Sequence, residues 1–383
     1  MSKTSQIPLA PELDDQSMMQ RVLDLAEKGY STTHPNPRVG CVIVNNGVIV
    51  GEGYHKQTGG LHAEREALVA ASDKARGGTA YVNLEPCCHQ GRTPPCTDGL
   101  IDAGITRVVA AILDPNPLVS GGGVDLLKEA GITVETGLME QEALFLNKGF
   151  VNRMARQKPW VTLKSAATLD GRTADFEGNS KWITGEKARS EVQKLRASSS
   201  AVLTGIGTVL SDDPQLNVRV DGENVRQPMR VVLDSQLRIP LESKIIGNDE
   251  RLLIFTLSQD NDKISQLIEL GVEVIQQTAS ANTQKLDLEQ VLSELAKWEC
   301  NEVLVEAGQT LSGAFLSAGL VDELVLFYAG TLMGDHGKSM FAFDAPLPFA
   351  DRVEYRVKHV EMVDVDFKVV AISETSLQTL MNK

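Results

Sequence analysis

Three residues within one short stretch have the types and spacing to hold a metal ion. His62 opens His62-Ala63-Glu64 at the head of a helical run, and 25 residues later Pro86 precedes Cys87. Cys96 closes the segment Cys87-Cys88-His89-Gln90-Gly91-Arg92-Thr93-Pro94-Pro95-Cys96. One imidazole and two thiolates fill three tetrahedral positions on a single Zn2+ and leave the fourth for water, whose pKa the metal lowers to about 7. Glu64 is not needed as a ligand and suits another task, carrying a proton from that water to a substrate nitrogen and then to the leaving group. A closed structural zinc with Cys88 as fourth ligand is the competing reading. Adjacent cysteines point in divergent directions, so Cys88 reads as a neighbour of the ion.

His-x-Glu followed by Pro-Cys and a further Cys is the order found in zinc-dependent base deaminases. The rest of the composition narrows the substrate. A formal net charge of -14 over 383 residues argues against an RNA base deaminase with an accessory α/β domain, because phosphate neutralisation calls for a basic surface. The expected partner is a small molecule, with no nucleic acid and no membrane. No apolar run approaches the roughly 18 residues of a membrane span. MSKTSQIPLAPELDD carries no apolar core of a secretory signal. Five cysteines, three of them in the zinc segment, form no disulfide framework and fit a cytoplasmic protein. Cys41 and Cys300 lie beside apolar runs and read as buried thiols.

The elements that must position this chemistry alternate. Asp14-Asp15 caps a helix carrying Met18, Met19, Val22, Leu25 and Ala26. A proline-rich loop from Thr33 to Arg38 leads into a strand over 39–44, and Asn45-Asn46-Gly47 turns the chain into its return. A helix over 64–75, a strand over 79–84, a helix over 97–103, a strand over 107–113, a helix over 124–130 and a strand over 132–134 follow. One helix is expected over 138–150, with a domain border after Gln157 that gives 1–157 and 158–383. The second half restarts the alternation, with strands at 160–167, 201–205, 230–233, 252–255, 272–275, 302–306, 324–328, 355–359 and 363–371. Helices are expected at 186–197, 286–298 and 311–318. Both halves are therefore α/β. In the second, Glu306-Ala307-Gly308 before a helix could present backbone N–H groups to a phosphate, or need its glycine for steric reasons only. Asp212-Asp213 before Pro214 could equally be a surface turn.

The chain resembles the bifunctional riboflavin-biosynthesis deaminase–reductases of bacteria. The first half carries THPNPRVGCVIV, GEGYH, HAEREAL, LEPCCHQGRTPPC, DPNP and LNKGF. The second carries LKSAATLDGRTA, SKWITG, LTGIGTVLSDDPQLNVR, RVVLDS, VEAGQTLSGAFL and GLVDEL. The nine-residue step from Cys87 to Cys96 departs from the C-x-x-C of most cytidine and tRNA adenosine deaminases and is a mark of this family. The resemblance implies an N-terminal cytidine-deaminase-like α/β/α sandwich and a C-terminal dihydrofolate-reductase-like α/β domain. It implies hydrolytic deamination of 2,5-diamino-6-(5-phosphoribosylamino)pyrimidin-4(3H)-one to 5-amino-6-(5-phosphoribosylamino)uracil, then reduction of the ribosyl chain to ribityl by NADPH.

By the same resemblance His62, Cys87 and Cys96 are zinc ligands, Glu64 is the proton shuttle, and Asn36 and His89 line the pyrimidine site. Ala166, Trp182, Thr208, Asp212, Ser235 and the turn Gly308, Gln309, Thr310, Leu311, Ser312, Gly313 and Ala314 would serve NADPH. Ser180, Arg196, Leu216, Arg219 and Glu306 would hold the substrate. Arg196 and Arg219 are suited to the ribose phosphate, and Lys164 or Asp212 to proton movement. A homo-oligomer is expected. Two departures stand out: Cys88 where the family often has Ser, and the run Gly121-Gly122-Gly123 where it usually has a basic residue. If that loop touches the substrate, its hold should be weaker here.

Overall fold

A computed structural model describes residues 14–89, 94–116, 120–220, 225–247, 251–278 and 285–382. It divides into two compact units, Met1–Asn147 and Lys148–Lys383.

The first unit runs α1 (Asp15–Glu27), β1 (Gly40–Asn45), β2 (Val48–Tyr54), α2 (Ala63–Ala71), β3 (Thr79–Leu84), α3 (Cys96–Asp102), β4 (Arg107–Ile112), α4 (Gly122–Glu129), β5 (Thr133–Thr136) and α5 (Glu140–Leu146). Asp14 caps α1 by accepting the Ser17 N–H at 2.7 Å. Asn46 and Gly47 both take positive φ, 49° and 70°, the backbone a tight hairpin between β1 and β2 requires. The sheet order is β2-β1-β3-β4-β5, with β1 antiparallel to both neighbours and β3, β4 and β5 parallel. Alternate residues set its two faces. Cys41, Ile43, Ala80, Val82, Val108 and Ala110 pack on Ala63, Ala67 and Ala71 of α2, Leu100 of α3 and Leu127 of α4. The other face meets α1 and α5, where the Tyr81 hydroxyl donates to Asp15 at 2.6 Å. This is an α/β/α sandwich.

Helix α2, which is capped by His62 and carries Glu64, lies unusually close to β2. A Cβ on Gly51 would stand 2.2 Å from the Ala67 carbonyl oxygen, and one on Gly53 2.6 Å from that of Ala63. Glycine in G-E-G-Y-H is therefore required by the approach of two backbones.

The helix expected over 138–150 is broken at Asn147. Its side chain accepts the Arg38 N–H at 2.8 Å and donates to the Arg38 carbonyl at 2.9 Å. Asn83 donates to the same carbonyl at 2.9 Å and accepts the Gly40 N–H at 2.8 Å. Two buried amides thus replace sheet hydrogen bonds and fix the end of the proline-rich loop that carries Asn36.

The residues after Asn147 belong to the second unit, so the division falls ten residues before the expected border at 157/158. Helix α6 (Lys148–Arg156) is held there: Lys148 pairs with Glu323, and Arg153 Nε donates to Asn301 at 2.6 Å. It is followed by β6 (Trp160–Thr168), β7 (Arg172–Ala174), α7 (Glu186–Ser198), β8 (Ala201–Gly205), α8 (Ile206–Asp212), β9 (Met229–Leu233), β10 (Leu252–Thr256), α9 (Asn261–Glu269), β11 (Glu273–Gln276) and α10 (Leu288–Lys297). Then come β12 (Glu302–Val305), α11 (Gln309–Ser317), β13 (Glu323–Ala329), β14 (Lys338–Ser339), β15 (Tyr355–Val363), β16 (Asp366–Ser373) and α12 (Glu374–Met381).

Nine strands form one sheet, β11-β10-β9-β8-β12-β6-β13-β16-β15, and β14 pairs with β7 apart from it. Within the nine-stranded sheet, among the described residues, only the pairings of β16 with β13 and β15 are antiparallel. Odd and even positions again separate two cores. Val161, Leu163, Leu203, Val231, Leu253, Phe255, Val303 and Val305 pack on Val291 and Leu295 of α10 and Phe315 of α11. Val202, Val232, Ile254 and Leu304 pack on Ile206 and Val209 of α8 and Leu267 of α9. Both faces are covered, as a largely parallel sheet requires.

Candidate active sites

His62 is the N-cap of α2, with extended φ/ψ of -73° and 158°, so its ring leaves the helix start while Glu64 enters the first turn. Cys87 follows the end of β3, and Cys96 is the first residue of α3. The fold brings the three together: His62 Nδ1 is 3.4 Å from Cys87 Sγ and 3.3 Å from Cys96 Sγ, and all three donor atoms lie within 4.8 Å of one another. Tetrahedral zinc with ordinary Zn–S and Zn–N bonds would set N···S edges of ~3.6 Å, so the donor set fits the ion. Among the described residues Cys88 lies outside this cluster. The loop between the cysteines is only partly described, because 90–93 fall outside the described residues.

The electrostatics already favour a thiolate. The Cys96 thiol hydrogen-bonds to the Cys87 sulfur and, with His62, holds Cys87 well below the usual thiol range despite its burial. Cys96, the partner that keeps the proton, is raised accordingly. The Cys96 N–H also donates to Cys87 Sγ at 3.4 Å. Glu64 is 3% exposed, and burial, assisted by the Cys87 charge, pushes its carboxyl up to about 6.

Asn36, at the tip of the proline-rich loop, contacts His55 Nε2 through Nδ2 at 3.1 Å. The His55 ring stands edge-on to His62 with centroids 5.6 Å apart. His89 is exposed beside the partly described loop. Sequence reasoning did not single out Glu85. Its buried carboxylate accepts four backbone N–H groups, from Asp114, Gly121, Gly123 and Val124, at 2.9–3.1 Å. The glycine run serves this contact. Gly121 has φ 81°, and a Cβ on Gly123 would stand 2.0 Å from the Pro86 carbonyl oxygen. The run is thus explained by close packing against the cysteine loop. Its neighbour Val119 lies outside the described residues. A lone Glu before Pro-Cys gave no local signal, since all its partners lie 29 or more residues away.

In the second unit Arg196 Nε and Nη2 hold both oxygens of Glu306 at 2.6 and 3.0 Å, and Nη1 donates to the Asn217 carbonyl at 3.1 Å. Each side chain of the pair is 11% exposed. Separating such a pair costs about 3–5 kcal/mol, more than an exposed phosphate contact returns. Arg196 is therefore held in place by Glu306, while Arg219 is exposed and acts on Glu306 through its charge. Lys164, on β6, is half-buried, and its pKa is lowered by that burial.

Leu216 is buried with φ 53°. Gly308 is the N-cap of α11, and Gln309, Thr310, Leu311, Ser312, Gly313 and Ala314 form its first turns. Ala166 is half-buried on β6, Thr208 and exposed Asp212 lie on α8, and Ser235 follows β9. Ser180 and Trp182 lie in the segment between β7 and α7. Trp182 is 71% exposed under the Arg189 guanidinium, 4.6 Å from its ring centroid.

A His/Cys/Cys cluster with a buried glutamate on an α/β/α sandwich, joined in one chain to a largely parallel nine-stranded domain, defines a zinc-dependent deaminase fused to a reductase. Residues 13–112 match the cytidine and deoxycytidylate deaminase zinc-binding region, and residues 159–369 match the RibD C-terminal domain. The chain belongs to the RibD family of bifunctional riboflavin biosynthesis enzymes. It is 44% identical to riboflavin biosynthesis protein RibD of Escherichia coli over 365 residues, covering 92% of this chain and 98% of that one. The Aquifex aeolicus protein of that name is 44% identical over 321 residues, 84% of this chain and 88% of that one.

Among solved structures, Acinetobacter baumannii RibD form 1 matches with TM-score 0.86 and 45% identity, covering 94% of this chain and 98% of that one. A Thermotoga maritima diaminohydroxyphosphoribosylaminopyrimidine deaminase/5-amino-6-(5-phosphoribosylamino)uracil reductase matches with TM-score 0.82 and 37% identity over the same shares. The cofactors are zinc and NADPH, and the RNA-deaminase alternative is not favoured.

Proposed function

We propose that the chain deaminates 2,5-diamino-6-(5-phosphoribosylamino)pyrimidin-4(3H)-one and then reduces the ribosyl chain of the resulting uracil to ribityl. The first unit performs the first step and the second unit the second. The observation that carries the reading is the convergence of His62 Nδ1 and the Cys87 and Cys96 sulfurs within 4.8 Å, with the buried Glu64 two residues from His62. These three residues hold zinc, which when bound supplies the Lewis acidity that makes water a nucleophile at neutral pH. Glu64 takes one proton from the attacking water and gives it to the ring nitrogen, then takes the second from the hydroxyl now on the carbon and gives it to the departing amine as the C–N bond breaks. Its burial keeps bulk water from intercepting that proton. Asn36 and His89 line the pyrimidine.

In the second half, the turn from Gly308 to Ala314 meets the phosphates of NADPH, with Gln309, Thr310 and Leu311 offering the free N–H groups of the first turn of α11. Ala166, Trp182, Thr208, Asp212 and Ser235 complete the cofactor site. Ser180, Arg196, Leu216, Arg219 and Glu306 hold the substrate, with Arg219 meeting its phosphate. Lys164 or Asp212 moves the proton. Hydride transfer belongs to the cofactor, and the protein contributes position.

Mass spectrometry of the diaminopyrimidine substrate tests both steps. Exchange of an amine for oxygen is expected without NADPH, and a gain of two hydrogens with it. No change in zinc-loaded protein would overturn the assignment.

The assembly is a homo-oligomer in a cytoplasmic setting. Strand β15 ends the nine-stranded sheet, and its Val357, Val360 and Met362 are exposed, so the edge offers unpaired backbone and apolar side chains to a second copy. Free cysteines fit a reducing compartment. Among the described residues no helix is long and apolar enough to cross a membrane. Sedimentation velocity should show a dimer or larger species, and Val360→Glu should shift it toward monomer. A monomeric wild-type chain at micromolar concentration would refute the oligomer.

A further inference from the structure

The segment just before each cysteine of the zinc cluster is anchored by a charged side chain for which the deamination chemistry has no use. Resting on the zinc reading above, we propose that Glu85 and Arg65 form a two-sided clamp that holds Cys87 and Cys96 at coordinating separation and sets how long the ion is retained.

Glu85 stands two residues before Cys87. Its Oε2 accepts the N–H groups of Asp114 and Gly121, both at 3.0 Å, and its Oε1 those of Gly123 and Val124 at 2.9 and 3.1 Å. The carboxylate is 3% exposed and sits at the start of α4, where the helix dipole favours an anion. With four donors fixed in place it cannot swing. Pro86 follows with its φ restricted by the ring, and the Cys87 carbonyl accepts the Thr97 N–H at 3.2 Å. Cys87 is thereby tied to both α4 and α3.

Arg65 grips the other side. It follows Glu64 on α2 and donates through Nη2 to the carbonyl of Pro95, the residue before Cys96. Its guanidinium rests on Gly99 in α3, where a Cβ would stand 2.6 Å from Cζ and Nη1. The helix that presents His62 and Glu64 is thus bound through Arg65 to the start of the helix that presents Cys96. The ligands lie on three separate elements, and the clamp removes the freedom those elements would otherwise have to separate when the metal leaves. Partners that orient ligands in this way typically alter metal affinity by ~10–100-fold.

The test uses full-length, zinc-loaded protein and reads zinc release to a chromophoric chelator, alongside deaminase kcat in excess zinc. Glu85→Gln places an amide N–H against two backbone N–H groups, and Arg65→Met keeps bulk while removing the donor. Each should release zinc ~10–100-fold faster, with kcat in excess zinc changing far less. Gly99→Ala leaves Arg65 chemically intact but occupies its seat. It should speed release in the wild-type background and add nothing to Arg65→Met. Release at the wild-type rate in all three variants, with only the melting temperature lowered, would overturn the clamp and leave the two residues a purely structural role. If Glu85→Gln fails to fold, Arg65→Met and Gly99→Ala decide the matter. A wild-type chain that binds no zinc would instead overturn the zinc reading itself.

Discussion

Glu64→Gln is expected to keep zinc at one per chain while deamination falls by a factor of ~10²–10⁴, the range general acid–base groups contribute. The amide has the shape of the carboxyl but cannot accept a proton from water and return it. The ligands His62, Cys87 and Cys96 are unchanged, so metal content measured by elemental analysis should match the wild type. Stability should not suffer, because Glu64 is buried in a site that disfavours its charge and a neutral side chain carries no such penalty. NADPH-dependent reduction of substrate that has already been deaminated should proceed at the wild-type rate. Ammonia release near the wild-type rate would mean that another group moves the proton.

Cys87→Ser should have the opposite metal phenotype. A serine hydroxyl stays protonated where the thiol is lowered by its hydrogen bonds to Cys96 and His62, so one of three ligands is lost and zinc should dissociate on dialysis. Deamination should fall to background, further than in Glu64→Gln. Reduction should survive, because the second unit buries its own apolar clusters around β6, β8, β9, β10 and β12. The cluster under the zinc site, from Cys41 to Ile132, draws only on the first unit. Loss of both activities in a variant that still melts cooperatively would show that the reductase depends on the metal site.

The zinc constellation and most of its supporting elements were legible because their signals are local. Asp14 before an amphipathic run marks a helix start, Asn46-Gly47 a hairpin, and His-x-Glu with Pro-Cys a metal set. The strand expected over 79–84 is β3, and the one over 201–205 is β8. What escaped depends on distant partners. Residues 138–146 are rich in helix formers, and the Asn147 side chain at the end of α5 is engaged by the Arg38 backbone, 109 residues away. The pairing of Arg196 with Glu306, 110 residues on, has no local signal either. Glu85 and Arg65 likewise find their partners across the fold. Helix α9, absent from the expected elements, does carry a local signal, with Asp260 accepting the Lys263 N–H at 3.0 Å ahead of Ile264, Leu267 and Ile268. The short pair β7 and β14 and the terminal helix α12 had no comparable pattern.

The near-contact of α2 with β2 also bears on how this enzyme could change over generations. With 2.2 Å between a hypothetical Gly51 Cβ and the Ala67 carbonyl, even alanine must push α2 outward, and α2 is capped by the histidine and carries the glutamate. In a saturation library Gly51 and Gly53 should tolerate almost no replacement. Val48, 60% exposed on the same strand, should accept nearly any. The mutational freedom of this hairpin is thus distributed by backbone spacing, and its two glycines are as closed to drift as the metal ligands they support.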